Sequence, residues 1–125
     1  MKTCLRVGIA DDDPDLRLLL TQSVRHLGHE VVCEAENGEQ LLAMSTTLEM
    51  DIALVDFDMP LCDGLEVADE LSRSKGVPVI IISGHPDLQH MIRKKEPVTA
   101  FLRKPFTMEA LQAAIQSSGA KSSPK

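Results

Sequence analysis

Hydrophobic residues along this chain gather in short runs, at residues 5–10, 30–33, 52–55, 77–82 and 98–103, most of them β-branched or aliphatic. Runs of this length and composition predict strands. The intervening segments follow a helical period instead. The clearest puts Leu16, Leu19, Leu20, Val24 and Leu27 on one face, with Asp13 placed to cap, Pro14 suited to the first turn and Gly28 to end the helix. Residues 38–48, 64–74, 86–95 and 107–117 predict the other helices, and in the last of these Thr107 can cap a face made of Met108, Leu111, Ala114 and Ile115. Strand and helix alternate throughout, and the strands are apolar on both sides rather than alternating. That pattern implies right-handed crossovers and a parallel sheet covered on both faces, a doubly wound α/β domain.

The polar residues that close these runs change the picture. Ile9-Ala10 runs into Asp11-Asp12, Leu54-Val55 into Asp56, Ile81-Ile82 into Ser83, and Phe101-Leu102-Arg103 into Lys104. In an open parallel sheet the ligand crevice lies outside the carboxyl ends of the strands, where all of these residues would meet. Three carboxylates in one crevice repel, by roughly 4 kcal/mol for a pair about 4 Å apart at an effective dielectric near 20. Lys104 or a hard divalent ion must offset that repulsion, and an all-oxygen donor set favours Mg2+ completed by a phosphate. A metal, an ammonium and a hydroxyl suit phosphoryl transfer, in which a carboxylate can serve as the nucleophile.

Composition narrows the function further. At 125 residues and 43% hydrophobic, the chain has the size of one domain with a core of its own. A formal net charge of −6, with no Tyr or Trp for base stacking, argues against direct nucleic-acid binding. Cys4, Cys33 and Cys62 show neither pairing nor zinc spacing and are expected to pack as small apolar groups. The first residues lack a signal-peptide apolar stretch, and no run is long enough to cross a bilayer, so a cytoplasmic location is expected. His26, His29, His85 and His90 lack ligand spacing and read as surface residues; Arg93-Lys94-Lys95 reads as a solvated face near a helix end. The Ser-rich segment 118–125 reads as a flexible tail or the start of a linker, leaving residues 1–117 as the domain.

Asp11-Asp12, Asp56-Phe57-Asp58-Met59-Pro60 with Asp63-Gly64, Ser83-Gly84, and Phe101-Leu102-Arg103-Lys104-Pro105-Phe106 together resemble the receiver domain of two-component response regulators. The resemblance runs from about Arg6 to Ile115 and implies a flavodoxin-like (βα)5 sandwich with strand order 2-1-3-4-5. It implies that Asp56 is the phosphoacceptor, taking a phosphoryl group from a phosphohistidine on a histidine kinase or phosphotransfer protein. Mg2+ would be bound by Asp12, Asp56 and the backbone carbonyl of Asp58, with Asp11 acting through water. Ser83 and Lys104 would hold the phosphoryl oxygens. Gly84 would leave the site open to the donor. Asp58, two residues past Asp56, His85, two past Ser83, and a Phe where Tyr is frequent at the switch position depart from the family's pattern, and Asp58 and His85 are expected to tune access and the lifetime of the phosphorylated state. Phe101 takes the family's switch position, so phosphorylation would bias a surface formed by the fourth and fifth helical segments and the last strand. The partners implied are the phosphodonor and an unidentified downstream partner or output domain, with phosphorylation-dependent pairing of two copies left open. Such a domain catalyses only its own phosphorylation and dephosphorylation.

Plainer readings exist for each residue. The acidic triplet before Pro14 can cap a helix, Ser83-Gly84 can be a turn, and Phe101 can be core. A bond preceding Pro105 can be cis or trans. Two other functions compete. Asp56-Phe57-Asp58 also resembles the opening motif of haloacid-dehalogenase-like phosphatases, but those enzymes place their acidic pair late, whereas here it comes first. A receiver-like adaptor that is never phosphorylated would usually have lost one of the acidic, hydroxyl or Lys positions, all of which remain.

Overall fold

The computed structural model describes residues 4–57, 64–84 and 98–122. Five parallel strands, β1 (Arg6–Ala10), β2 (Glu30–Ala35), β3 (Ile52–Asp56), β4 (Val79–Ser83) and β5 (Val98–Arg103), form one sheet in the order β2-β1-β3-β4-β5. The helices are α1 (Pro14–His26), α2 (Gly38–Ser45), α3 (Gly64–Lys75) and α4 (Met108–Ser122). The expected doubly wound fold and strand order are both present. The helix expected over residues 86–95, the Arg93-Lys94-Lys95 cluster within it, Cys62, His85 and His90 lie outside the described residues.

Successive strand residues face opposite sides of a sheet, and here each side has its own core. Val7, Ile9, Ile52, Leu54, Ile80 and Ile82 pack with Leu20 and Val24 of α1 and Leu111 and Ile115 of α4. Ala10, Ala53, Val55, Val79 and Ile81 pack with Leu41 of α2 and Val67, Ala68 and Leu71 of α3. Both faces are therefore apolar, which is why the strands show no polar alternation. Gly8 belongs to the second face because Met50 lies across it. A Cβ at Gly8 would sit 2.7 Å from Met50 Sδ and 3.3 Å from Cys33 Sγ.

Several element ends differ from expectation, each for a local reason. Helix α2 stops at Ser45 instead of residue 48, where the hydroxyls of Ser45, Thr46 and Thr47 donate to the carbonyls of Leu42, Ala43 and Met44. Such side-chain bonds compete with the helical ladder. Strand β4 begins at Val79 because Pro78 has no N–H to give a ladder. Helix α4 continues to Ser122, past the expected end at residue 117, and Ser118 is buried against the body. In α1 the buried stripe runs through Leu20 and Val24 and takes in Thr21 and Ser23, which leaves Leu19, expected inside, 50% exposed.

Two side-chain expectations are corrected as well. Cys33 is buried as a small apolar group, but Cys4 is exposed. His29, expected on the surface, is 6% exposed, with Nδ1 accepting from the Leu5 N–H at 3.1 Å and Nε2 lying 3.2 Å from Gln112 Oε1. It joins the start of the sheet to α4, a tertiary contact that local pattern does not encode.

Thr21 Oγ1 is buried without a hydrogen-bond partner among the described residues. A buried unsatisfied hydroxyl costs about 1–3 kcal/mol, so Thr21→Val should raise the urea unfolding midpoint with the slope unchanged, by about 1 kcal/mol. A loss of stability of that size would show that the hydroxyl is bonded in solution.

Candidate functional site

The β1–α1 turn is fixed at several points. Asp11 N–H donates to the Ala35 carbonyl at 3.1 Å, and Asp11 Oδ1 accepts from the Asp13 N–H at 2.9 Å. Asp13 Oδ1 in turn accepts from the N–H groups of Asp15 and Leu16, capping α1 as expected. Capping therefore falls to Asp13, and the preceding pair is left for the crevice. Asp11 is fully buried while Asp12 is exposed.

Asp56 closes β3 with 3% exposure, and Ser83 closes the neighbouring strand with 1%. Beyond them the Phe57 N–H donates to the Ile82 carbonyl and the Lys104 N–H to the Ser83 carbonyl, both at 2.9 Å, so the sheet's hydrogen bonding continues past its formal ends. That extension delivers Lys104, whose Nζ donates to Asp56 Oδ1 at 3.0 Å. The Lys104–Pro105 bond is cis. Carboxylate oxygens of Asp11, Asp12 and Asp56 all lie within 4.8 Å of one another. Of the expected site residues, the structure thus brings together Asp11, Asp12, Asp56 and Lys104, with Ser83 on the adjacent strand end. Gly84 is exposed, and a Cβ there would meet nothing within 4 Å among the described residues. Phe101 is half-buried against the core on the α2–α3 side. Asp58 and His85 lie outside the described residues.

The electrostatics follow from this crowding. Burial, opposed by the bond from the Asp13 N–H, raises the Asp11 carboxyl to about 6; Asp56 and Asp12 add to the rise, while Lys104 counters it. Among the described residues, three carboxylates face one ammonium, an excess of two negative charges and so the charge of one divalent cation. Asp11 Oδ2 is also buried without a hydrogen-bond partner among the described residues. A hard, all-oxygen donor set with an orphaned carboxylate oxygen fits Mg2+. What sequence reasoning missed is Arg17, whose Nη1 donates to the Asp11 backbone carbonyl at 2.8 Å. No periodicity or motif marks such a side-chain-to-backbone bond.

Residues 7–116 match the response regulator receiver domain family. The chain belongs to that family. The receiver is 31% identical over 117 residues to the probable chemotaxis protein CheY of Rhizobium etli, covering 90% of each chain. It is also 29% identical over 112 residues to the transcriptional regulatory protein PdtaR of Mycobacterium tuberculosis, 89% of this chain but 55% of that one. The receiver thus spans about half the length of that longer regulator. Among solved structures, the signal receiver domain of a modulated diguanylate cyclase from Desulfovibrio desulfuricans G20 superposes with a TM-score of 0.86 at 28% identity, covering 95% and 96% of the two chains. The response regulator TrrA of Thermotoga maritima, solved in complex with Mg2+ and BeF, gives 0.81 at 27% identity, covering 89% and 96%. The chain is accordingly a phosphoacceptor signalling domain of two-component systems and not a classical enzyme, and the phosphatase reading falls away. None of the described helices is long and apolar enough to cross a membrane.

If charge crowding governs this site, two substitutions act in opposite directions in metal-free buffer. Asp12→Asn removes a repelling charge and should raise the melting temperature. Lys104→Met leaves Asp56 buried without its cation and should lower stability by about 1–3 kcal/mol. Thermal unfolding of both variants checks this, and shifts of the same sign would contradict the electrostatic account.

Proposed function

We propose that Asp56 accepts a phosphoryl group from a phosphohistidine on a histidine kinase or histidine phosphotransfer protein. The observation that carries this reading is the Asp56 carboxylate itself, nearly buried, held through Oδ1 by Lys104 at 3.0 Å and set within 4.8 Å of the Asp11 and Asp12 carboxylates. An Asp56 oxygen forms the new O–P bond as the P–N bond to the donor imidazole breaks. The electron pair returns to that nitrogen, which takes up a proton. Mg2+ held by Asp12, Asp56 and the Asp58 backbone carbonyl, with Asp11 acting through water, would supply charge neutralisation on the phosphoryl oxygens. Lys104 and Ser83 orient the group, the first from the end of β5 and the second from the end of β4. The receiver catalyses only its own phosphorylation and dephosphorylation.

Gly84 keeps the rim open to the donor, and Asp58 and His85 set how long the acyl phosphate survives attack by water. Once Asp56 is phosphorylated, Ser83 moves toward the new oxygens and Phe101 turns further into the body. That motion biases the surface presented by β5, α4 and the segment between β4 and β5. The downstream partner is an output domain, a separate protein or a second copy of the receiver, and not nucleic acid directly. A cytoplasmic setting suits a phosphohistidine donor. The folded unit is residues 1–117, extended by the last turn of α4, and the remaining residues are a tail or linker.

The test is intact mass after incubation with Mg2+ and acetyl phosphate or phosphoramidate, for wild type and Asp56→Asn. Wild type should gain a single phosphoryl adduct that requires Mg2+, and the variant should gain none. An adduct of equal yield in Asp56→Asn, or none in wild type, contradicts the assignment. His85→Ala should change the rate at which the adduct is lost, and an unchanged rate removes His85 from the account.

A further inference from the structure

Asp11 has four polar groups able to bond, and three are already engaged: its N–H by the Ala35 carbonyl, its Oδ1 by the Asp13 N–H, and its carbonyl oxygen by Arg17 Nη1 at 2.8 Å. Oδ2 is left, buried and without a partner among the described residues. The Arg17 bond differs from the other two. The Ala35 bond prolongs the sheet and the Asp13 bond closes the turn, so both follow from the fold. Arg17 instead lies in α1 and reaches back across the first helical turn, the direction in which helical side chains lean.

Its placement runs against ordinary preference. A cation near a helix N-terminus faces the positive end of the dipole, and Arg17 is half-buried there. The contact it makes is with a backbone carbonyl, although the Asp11, Asp12 and Asp13 carboxylates are close in sequence. The carbonyl of Asp11 and the N–H of Asp12 belong to one rigid peptide plane. Holding that oxygen fixes the tilt of the plane, and with it the direction in which Asp12 leaves the strand. Asp12 itself is exposed, with little packing to aim its carboxylate.

We infer that Arg17 is a positioning residue for the cation site: its grip on the Asp11 carbonyl sets the Asp11–Asp12 peptide plane and so aims both carboxylates into the crevice. The inference rests on the Mg2+-binding reading above and goes beyond it, since the bond Arg17 makes is to a backbone carbonyl and not to a site carboxylate. Groups that act behind metal ligands in this way typically change affinity by about 10- to 100-fold when removed. Charge and positioning predict opposite signs here. Arg17 is a cation near a cation site, so removing its charge should by electrostatics alone tighten Mg2+ binding. Removing its hold on the peptide should weaken it.

The experiment is calorimetric titration of the metal-free receiver with MgCl2 for wild type, Arg17→Met and Arg17→Lys, with circular dichroism to show that each is folded. Arg17→Met should bind Mg2+ roughly ten-fold more weakly. Arg17→Lys, which keeps a donor of similar reach, should recover part of that loss. Unchanged or tighter binding by Arg17→Met overturns the inference while leaving the phosphoacceptor reading intact. Absence of Mg2+ binding by wild type overturns both. Should Arg17→Met fail to fold, Arg17→Gln decides by the same sign, and a purely structural Arg17 would lower the melting temperature of the variant without moving its Mg2+ affinity.

Discussion

The constraint on which the rest of the site depends is the convergence of three carboxylates at the carboxyl edge of a parallel sheet, within 4.8 Å of one another and, among the described residues, served by a single ammonium. At that separation each pair repels by about 3 kcal/mol or more at an effective dielectric near 20. The fold tolerates this because the apolar work is done elsewhere. Both sheet faces are closed by helices, and the side chains of Leu20, Leu54, Ile80, Ile82 and Leu111 are fully buried. The edge can then hold a local electrostatic deficit without threatening the core. Burial first, and the neighbouring Asp56 and Asp12 carboxylates after it, raise the Asp11 carboxyl, while Lys104 offsets part of the deficit; a site so charged would respond to an arriving cation.

The same edge is mechanically linked to the sheet. Lys104 is bound to Asp56 through its ammonium and to Ser83 through its backbone N–H, so β3, β4 and the end of β5 share one set of bonds. A new negative charge on Asp56 would alter the terms of both contacts at once. Phe101, on β5 three residues before Lys104, packs on the α2–α3 side, and Leu102 belongs to the opposite core. Changes at the crevice therefore have a short covalent route into both layers.

Much of this was legible in the chain. The alternation of short apolar runs with amphipathic segments encodes the layers, because burial on both faces removes polar alternation from the inner strands β1, β3 and β4. The polar residue ending each run encodes the crevice, since parallel strands put their carboxyl ends on one side. Features that depend on tertiary context were not legible. Leu19 satisfies a helical period yet is 50% exposed, because Thr21 and Ser23 take places in the buried stripe of α1. His29 is buried because Leu5 and Gln112, distant in sequence, supply its bonding partners. Arg17 is invisible for a related reason: its partner is a backbone carbonyl, which leaves no mark on residue type. The helix α2 end at Ser45 has a sequence signal in retrospect, three successive hydroxyl residues able to bond back to the helix carbonyls.

The central claim is that the strand-end carboxylates form a site short of one divalent cation. The most direct measurement is the melting temperature of the receiver in MgCl2 against NaCl at matched ionic strength. A site of this kind predicts a saturable rise of about 2–6 °C with Mg2+ that NaCl does not reproduce. Equal responses to the two salts would reduce the effect to general screening and contradict the account.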